Sequence, residues 1–447
     1  MKTSAVAAFV LVMAMMLPPL RAQMPPDKAA LKAKLQDVDL VGEWHYDSIA
    51  SGFADASKSG KPLLVVIRCV PLKAYKDIDT KVARREDAKL AEVLARFECV
   101  RLVQIFGLDI AQFQFDMNQV WAVMFLNADG TVYGRYGTRT SHEGTGEVSV
   151  EGLRKTCLAA LDLHKAYESA NATDKQTLKK LLDAKRGPKP LWNQPETIPS
   201  VAERYRPLDL RKPTIRGDCL WCHVAESGRV ISAWRGRKSL GDADVYGYPP
   251  VTLAGFRFEV DEAATLKAVD GGSPADKAGF RAGDCVVKLD GQPMLSQADV
   301  QFVLEKASQP VKVNAEVERQ GQTVALTLEL PEGWRHGGDY TWREITWNFR
   351  QISGFVAEVL PAAQRAALGL GDKAMALRIK RYHGKDKTAK SAGLLEGDVI
   401  VQVDNETSDW NEYALLAYIF QKKSPQEKVT LTVLRSGQRK QVQLPLR

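Results

Sequence analysis

Cysteine and histidine are scarce in this chain, with 6 of each in 447 residues. His45, His142, His164, His336 and His383 have no partner at metal-site or triad spacing, and no H-E-x-x-H motif occurs. A G-x-S-x-G nucleophile elbow is also missing, and no trypsin-like length of chain precedes the C-terminal half. These absences argue against a protease. After residue 22 no apolar run is long enough to cross a bilayer, so stable membrane insertion is not expected. No cysteine lies near residue 22, so a lipoprotein anchor is not indicated. No basic stripe interleaved with aromatics occurs, so nucleic acid is not an expected partner.

The first 22 residues read as an export signal. Lys2 is the charged end, Ala5 to Leu17 is the apolar run, and Leu20-Arg21-Ala22 before Gln23 is the cleavage site. The mature protein is then periplasmic or extracellular, where disulfides and covalent haem are both permitted. Removing residues 1–22 takes away Lys2 and Arg21 and leaves a net charge of +6. The length predicts about three domains.

The densest motif is Cys219-Leu220-Trp221-Cys222-His223. C-x-x-C-H is the spacing for covalent haem attachment: two thiols bond the haem vinyl groups and the adjacent His ligates iron. Cys219, Cys222 and His223 are therefore candidate haem c residues, with His223 on the metal. The same residues also suit a redox dithiol, a disulfide or half of a zinc site. Little chain on either side is free to fold as a cytochrome, so neighbouring domains would have to cover a haem.

Residues 23–41 hold a short helix, and residues 42–168 read as one α/β domain. Ile49–Ser59 has helical spacing and Gly60-Lys61-Pro62 stops it. Leu63–Ile67 is a β-branched apolar run suited to a buried central strand. Glu86–Phe97 reads as an amphipathic helix. Strands follow at 100–103 and 121–126, then a hairpin strand at 131–136 and a helix over 148–167. This order resembles the thioredoxin fold, with Trp44, Gly60-Lys61-Pro62 and Asn127-Ala128-Asp129-Gly130 as the specific likeness. The resemblance implies a redox C-x-x-C after the first core strand. The chain has Cys69-Val70-Pro71-Leu72 instead, with Leu72 in the resolving slot and Trp121 where the family carries a cis-proline. Cys99 falls at the opposite sheet edge, about 17 Å away, and Cys157 lies on the closing helix. The domain is thus read as redox-degenerate, with Cys69 as a candidate single-thiol catalytic residue.

Residues 169–248 turn basic and proline-rich, the composition of an extended connector, and they carry the C-x-x-C-H motif. Residues 249–332 and 333–447 form an internal repeat. Ala278-Gly279-Phe280-Arg281-Ala282-Gly283-Asp284 returns as Ala392-Gly393-Leu394-Leu395-Glu396-Gly397-Asp398. The modules resemble bacterial PDZ domains, in which a partner's C-terminal strand joins a sheet edge and its carboxylate meets backbone amides. That resemblance implies peptide binding by Leu253, Ala254, Gly255, Phe256, Phe258, Val300 and Leu304 in the first module. In the second it implies Gly354 and Phe355, with an insertion around 360–372.

The fold class expected is α/β plus mainly-β, a thioredoxin-like domain followed by two PDZ-like domains. The arrangement resembles a bacterial family of exported thioredoxin-like/PDZ fusions, some of them selenoproteins. The expected function is an exported interaction protein that binds protein C-termini or extended peptides. The alternative is a thiol or haem oxidoreductase, or an electron-transfer protein, using the C-x-x-C-H motif.

Overall fold

The computed structural model describes residues 27–37, 40–141, 144, 146–185, 191–212, 220–308, 310–384 and 388–446. The signal segment and Cys219 lie outside the described residues. The α/β domain is built on strands β1 (His45–Tyr46), β2 (Leu63–Arg68), β3 (Glu98–Leu102), β4 (Trp121–Leu126) and β5 (Val132–Tyr136). They form one sheet in the order β1-β3-β2-β4-β5. β1 and β2 run parallel to β3, while β4 is antiparallel to β2 and to β5. All six β2 residues are buried, as a central strand with both faces covered requires.

Local chemistry sets the helix ends. The Ile49–Ser59 helix starts at Ser48, whose hydroxyl accepts the Ser51 N–H, and stops at Gly60 in the left-handed region. The helix expected over 86–97 covers only Ala88–Leu94, because Asp87 caps a fresh start by accepting the Leu90 N–H at 2.7 Å. A separate helix, Lys76–Ala83, precedes it.

The connector differs most from expectation. Cys222–Arg235 is a 14-residue helix, and Pro199–Ala202 and Asp242–Val245 are short ones. Residues 222–235 are no extended spacer, because both ends of that helix are buried against neighbours. Leu220, Cys222 and Ala225 join a cluster with Ile67, Leu102, Ile105 and Phe113 of the α/β domain. Val230, Ile231 and Trp234 join the core of the second repeat module. Burying an apolar face at each end outweighs the surrounding prolines and charges.

The first module contains β6 (Phe256–Phe258), β7 (Leu266–Val269), β8 (Cys285–Leu289), β9 (Gln292–Pro293), β10 (Val311–Arg319) and β11 (Gln322–Leu330). The second contains β12 (Phe355–Val359), β13 (Leu377–Tyr382), β14 (Val399–Val403), β15 (Lys428–Arg435) and β16 (Gln438–Pro445). The repeat holds down to single hydrogen bonds. Arg319 pairs with Asp284 and donates to Gly279 O, as Arg435 pairs with Asp398 and donates to Gly393 O. Asp290 exchanges bonds with Asn314 as Asp404 does with Thr430. The insertion of the second module forms a helix, Ala362–Ala367.

Candidate functional site

The loop after β2 is held from beneath by charge. Arg68, 2% exposed, donates to the carbonyls of Leu72, Ala74 and Val120 at 2.6, 2.8 and 3.2 Å. Its Nε lies 3.2 Å from Asp79, which also receives Arg101 and the Trp121 indole N–H at 3.1 Å. Asp37 holds the far side of Arg101 at 2.7 Å. Burial pulls the Arg68 pKa down, and Asp79 partly offsets this. Removing one partner from such a buried network leaves a charge without compensation. Trp121, in the slot where the resemblance implied proline, stacks on Tyr75 and anchors Asp79. None of Arg68, Asp79 or Arg101 was marked by sequence reasoning, because a lone charge in an apolar strand or a short helix carries no motif.

Residues 220–223 lie across this edge of the sheet. Ile105 N–H donates to Leu220 O at 3.3 Å, adding the connector beside the end of β3. A pocket of about 10 Å³, roughly one water in size, is lined by Arg68, Cys69, Gln104, Gln119, Cys222 and His223 with apolar neighbours. Burial pushes the Cys222 thiol up to about 12. His223 Nδ1 is 3.4 Å from a Glu344 carboxylate oxygen, and its Nε2 has no partner. Leu72 is 37% exposed and borders a neighbouring cleft of about 350 Å³ with His223, Arg139, Trp342 and Trp347.

Around Cys222 the packing leaves no room for a haem c. Cys222 is buried among Ile67, Leu102 and Ile105, and the space beside it is far below the ~300 Å³ of even a small ligand site. Cys99 stands opposite Leu64 at the other end of β2, away from Cys69, and Cys157 is buried in the Val150–Ser169 helix.

In the first module, Leu253-Ala254-Gly255 leads directly into β6. Gly255 has φ +95°, and a Cβ there would collide with Ser273 Oγ. The close approach that demands glycine is therefore to Ser273 of the same module. Phe256, Val300 and Leu304 are fully buried in the module core and Phe258 nearly so. β6 pairs only with β7, which leaves its other edge without a strand among the described residues. The α/β domain grips both walls beside that edge. Ser149 Oγ donates to Val260 O at 3.1 Å, and Arg135 pairs with Asp299 on the Gln297–Lys306 helix at 3.3 Å.

The second module is different. Gly354 has φ +83°, and a Cβ would meet the Ala389 backbone nitrogen at 2.7 Å. On the edge strand β12, Ala357 N–H donates to Glu412 at 3.1 Å. Arg350 holds the same carboxylate at 2.5 Å. Glu412, on the helix that forms the opposite wall, thus occupies the edge donor that an added strand would use.

Residues 265–319 match the family model described as PDZ domain, so a PDZ domain is present in the first module. The chain is 26% identical over 222 residues to a "Probable periplasmic serine endoprotease DegP-like" of Pseudomonas fulva (strain 12-X), covering 47% of this chain and 42% of that protein. It is 47% identical over 68 residues to the "Regulator of sigma-E protease RseP" of Escherichia coli (strain K12), covering 15% of this chain and 14% of that protein. The chain spans less than half the length of these relatives. Among solved structures it is similar to the HtrA-type protease AlgW with decapeptide, at 22% identity, 31% of this chain, 42% of that chain and a TM-score of 0.19. No helix among the described residues is long and apolar enough to cross a membrane.

Proposed function

We propose that this chain is an exported peptide-capture protein whose first PDZ module takes a partner's C-terminal or extended strand along β6. The observation that carries the reading is the β6 edge that pairs with no strand among the described residues, entered through the Leu253-Ala254-Gly255 loop. Backbone hydrogen bonds along such an edge supply affinity, and the loop amides face a terminal carboxylate. The reading of residues 1–22 as an export signal and the similarity to periplasmic relatives support export. The α/β domain is read as thioredoxin-like; its strand order, with three parallel strands and an antiparallel pair, supports this. In that reading Leu72 removes the resolving thiol, and the domain serves to fix both walls of the PDZ edge through Val260 and Asp299.

Hydrogen exchange tests the reading. Adding a peptide with a free, apolar C-terminus to the mature chain should protect amides of residues 254–258. Protection confined to residues outside the first module would overturn it.

A further inference from the structure

The Glu412–Lys422 helix works on two faces. Glu412 turns to β12, as described above. Ala414, Tyr418, Gln421 and Lys422 recur at i, i+4, i+7 and i+8 and so share another face. That face lines a cleft of about 450 Å³, within the range of about 300–1,000 Å³ usual for small-molecule sites. Tyr246 of the connector, His336 after the first module and Trp410 complete the lining. Two pairs of tilted rings border the space. Trp410 and Tyr418 have centroids 5.2 Å apart and planes at 41°, and Tyr246 and His336 lie 4.7 Å apart at 37°. Ala414 adds only a methyl group to the helix wall, which leaves the space beside the rings.

Charge around this cleft is already matched. Asp409 pairs with Arg365 at 2.7 Å and Asp242 with His336 at 2.7 Å. Asp404 holds the Tyr418 hydroxyl and pairs with Lys423 at 2.8 Å. Among the described residues only Lys422, which is exposed, lines the cleft without an acidic partner. The uncharged groups have capacity left. Gln421 donates to Asp242 and keeps its Oε1, and Asn411 accepts from the Ala414 N–H and keeps its Nδ2. Trp410 adds an indole N–H.

We propose that this cleft binds a neutral hexopyranose with equatorial hydroxyls, free or within a glycan chain. Such a ring has an apolar C–H face, which packs on aromatic faces, and hydroxyls that each donate and accept. Its C–H face lies on Trp410 and Tyr418, and its hydroxyls bond Asn411 Nδ2 and Gln421 Oε1. An ionic ligand gains little here, because the carboxylates and the imidazole already neutralise one another or their neighbours. The cleft shares no residue with the β6 edge, so sugar binding is independent of peptide capture by the first module.

The test is saturation-transfer NMR on the full mature chain, with glucose, cellobiose and cellotetraose as probes and sorbitol as the acyclic control. Cellobiose should bind with a dissociation constant on the order of millimolar, with saturation reaching its ring C–H protons. Sorbitol has the hydroxyls but no ring face and should show none. Tighter binding of cellotetraose marks a glycan chain as the ligand, and its exclusion marks a free sugar. Trp410→Ala should weaken cellobiose binding about tenfold, the scale of one lost aromatic contact. Ala414→Phe fills the cleft and should abolish it, while both variants keep peptide binding at the first module. Should Ala414→Phe fail to fold, Trp410→Ala still decides, since Trp410 is only partly buried at the edge of the core. Sorbitol binding as well as cellobiose, cellobiose binding unchanged in Trp410→Ala, or no probe bound up to tens of millimolar overturns the proposal.

Discussion

The backbone N–H of Ala357, on the edge strand of the second module, is bonded to the carboxylate of Glu412 across the groove. Arg350 clamps that carboxylate, which is 3% exposed. The module therefore carries a built-in occupant at the place where a peptide strand would begin pairing. The first module has no such device on β6 among the described residues, so the two modules differ at this edge.

Glu412→Ala should accordingly do two things. It leaves Arg350 without its partner, a loss of about 3 kcal/mol by the usual cost of breaking a buried pair. It also frees the Ala357 N–H, so isothermal titration should show two peptides per chain where the wild type takes one. Two sites already in the wild type would contradict a self-filled second groove.

Asp299 offers a pH signature at the junction of the α/β domain and the first module. Burial raises its carboxyl from 3.8 to about 6, against the pull of Arg135. The folded state then holds a proton that the unfolded state has released, so this group's contribution to stability is present below about pH 4 and is lost as pH rises through about 6. Melting temperatures of the wild type and Asp299→Asn, compared from pH 4 to 7, should show the wild type losing ground as pH rises. A constant difference would rule this out.

Leu72→Cys should convert the loop after β2 into a dithiol. Leu72 N–H already donates to Cys69 O at 3.1 Å, so the two positions are joined in one tight turn. The variant should oxidise to a disulfide between Cys69 and the introduced thiol, and gain insulin-reducing activity with a dithiol donor. The wild type should show none, and steady turnover by the wild type would refute the degenerate assignment.

Sequence reading succeeded where periodicity and spacing carry physical force. The all-apolar Leu63–Ile67 run became the central strand, and the recurring A-G-x-x-x-G-D became two modules with matching Asp284–Arg319 and Asp398–Arg435 pairs. It failed at the connector, since the prolines around residues 188–213 hid an apolar stripe of Val230, Ile231 and Trp234 whose burial decides the helix. It could not see Gln119 or Asp79, whose meaning lies in what surrounds them. It named Gly255 for peptide binding and could not see that a Cβ there would meet Ser273. Gly255→Ala should therefore cost about 2 kcal/mol of stability from left-handed strain and collision, visible as a lowered melting temperature before any change in affinity is read.

Peptide capture at β6 is tested most directly by fluorescence anisotropy of one labelled peptide, with an apolar last residue, presented to the mature chain as free acid and as amide. The free acid should bind with a dissociation constant on the order of micromolar, about −8 kcal/mol, at one site per chain, and the amide should bind at least tenfold more weakly. Equal binding of the two forms would contradict carboxylate capture by the Leu253-Ala254-Gly255 loop, and no binding across a library of free C-termini would contradict peptide capture itself.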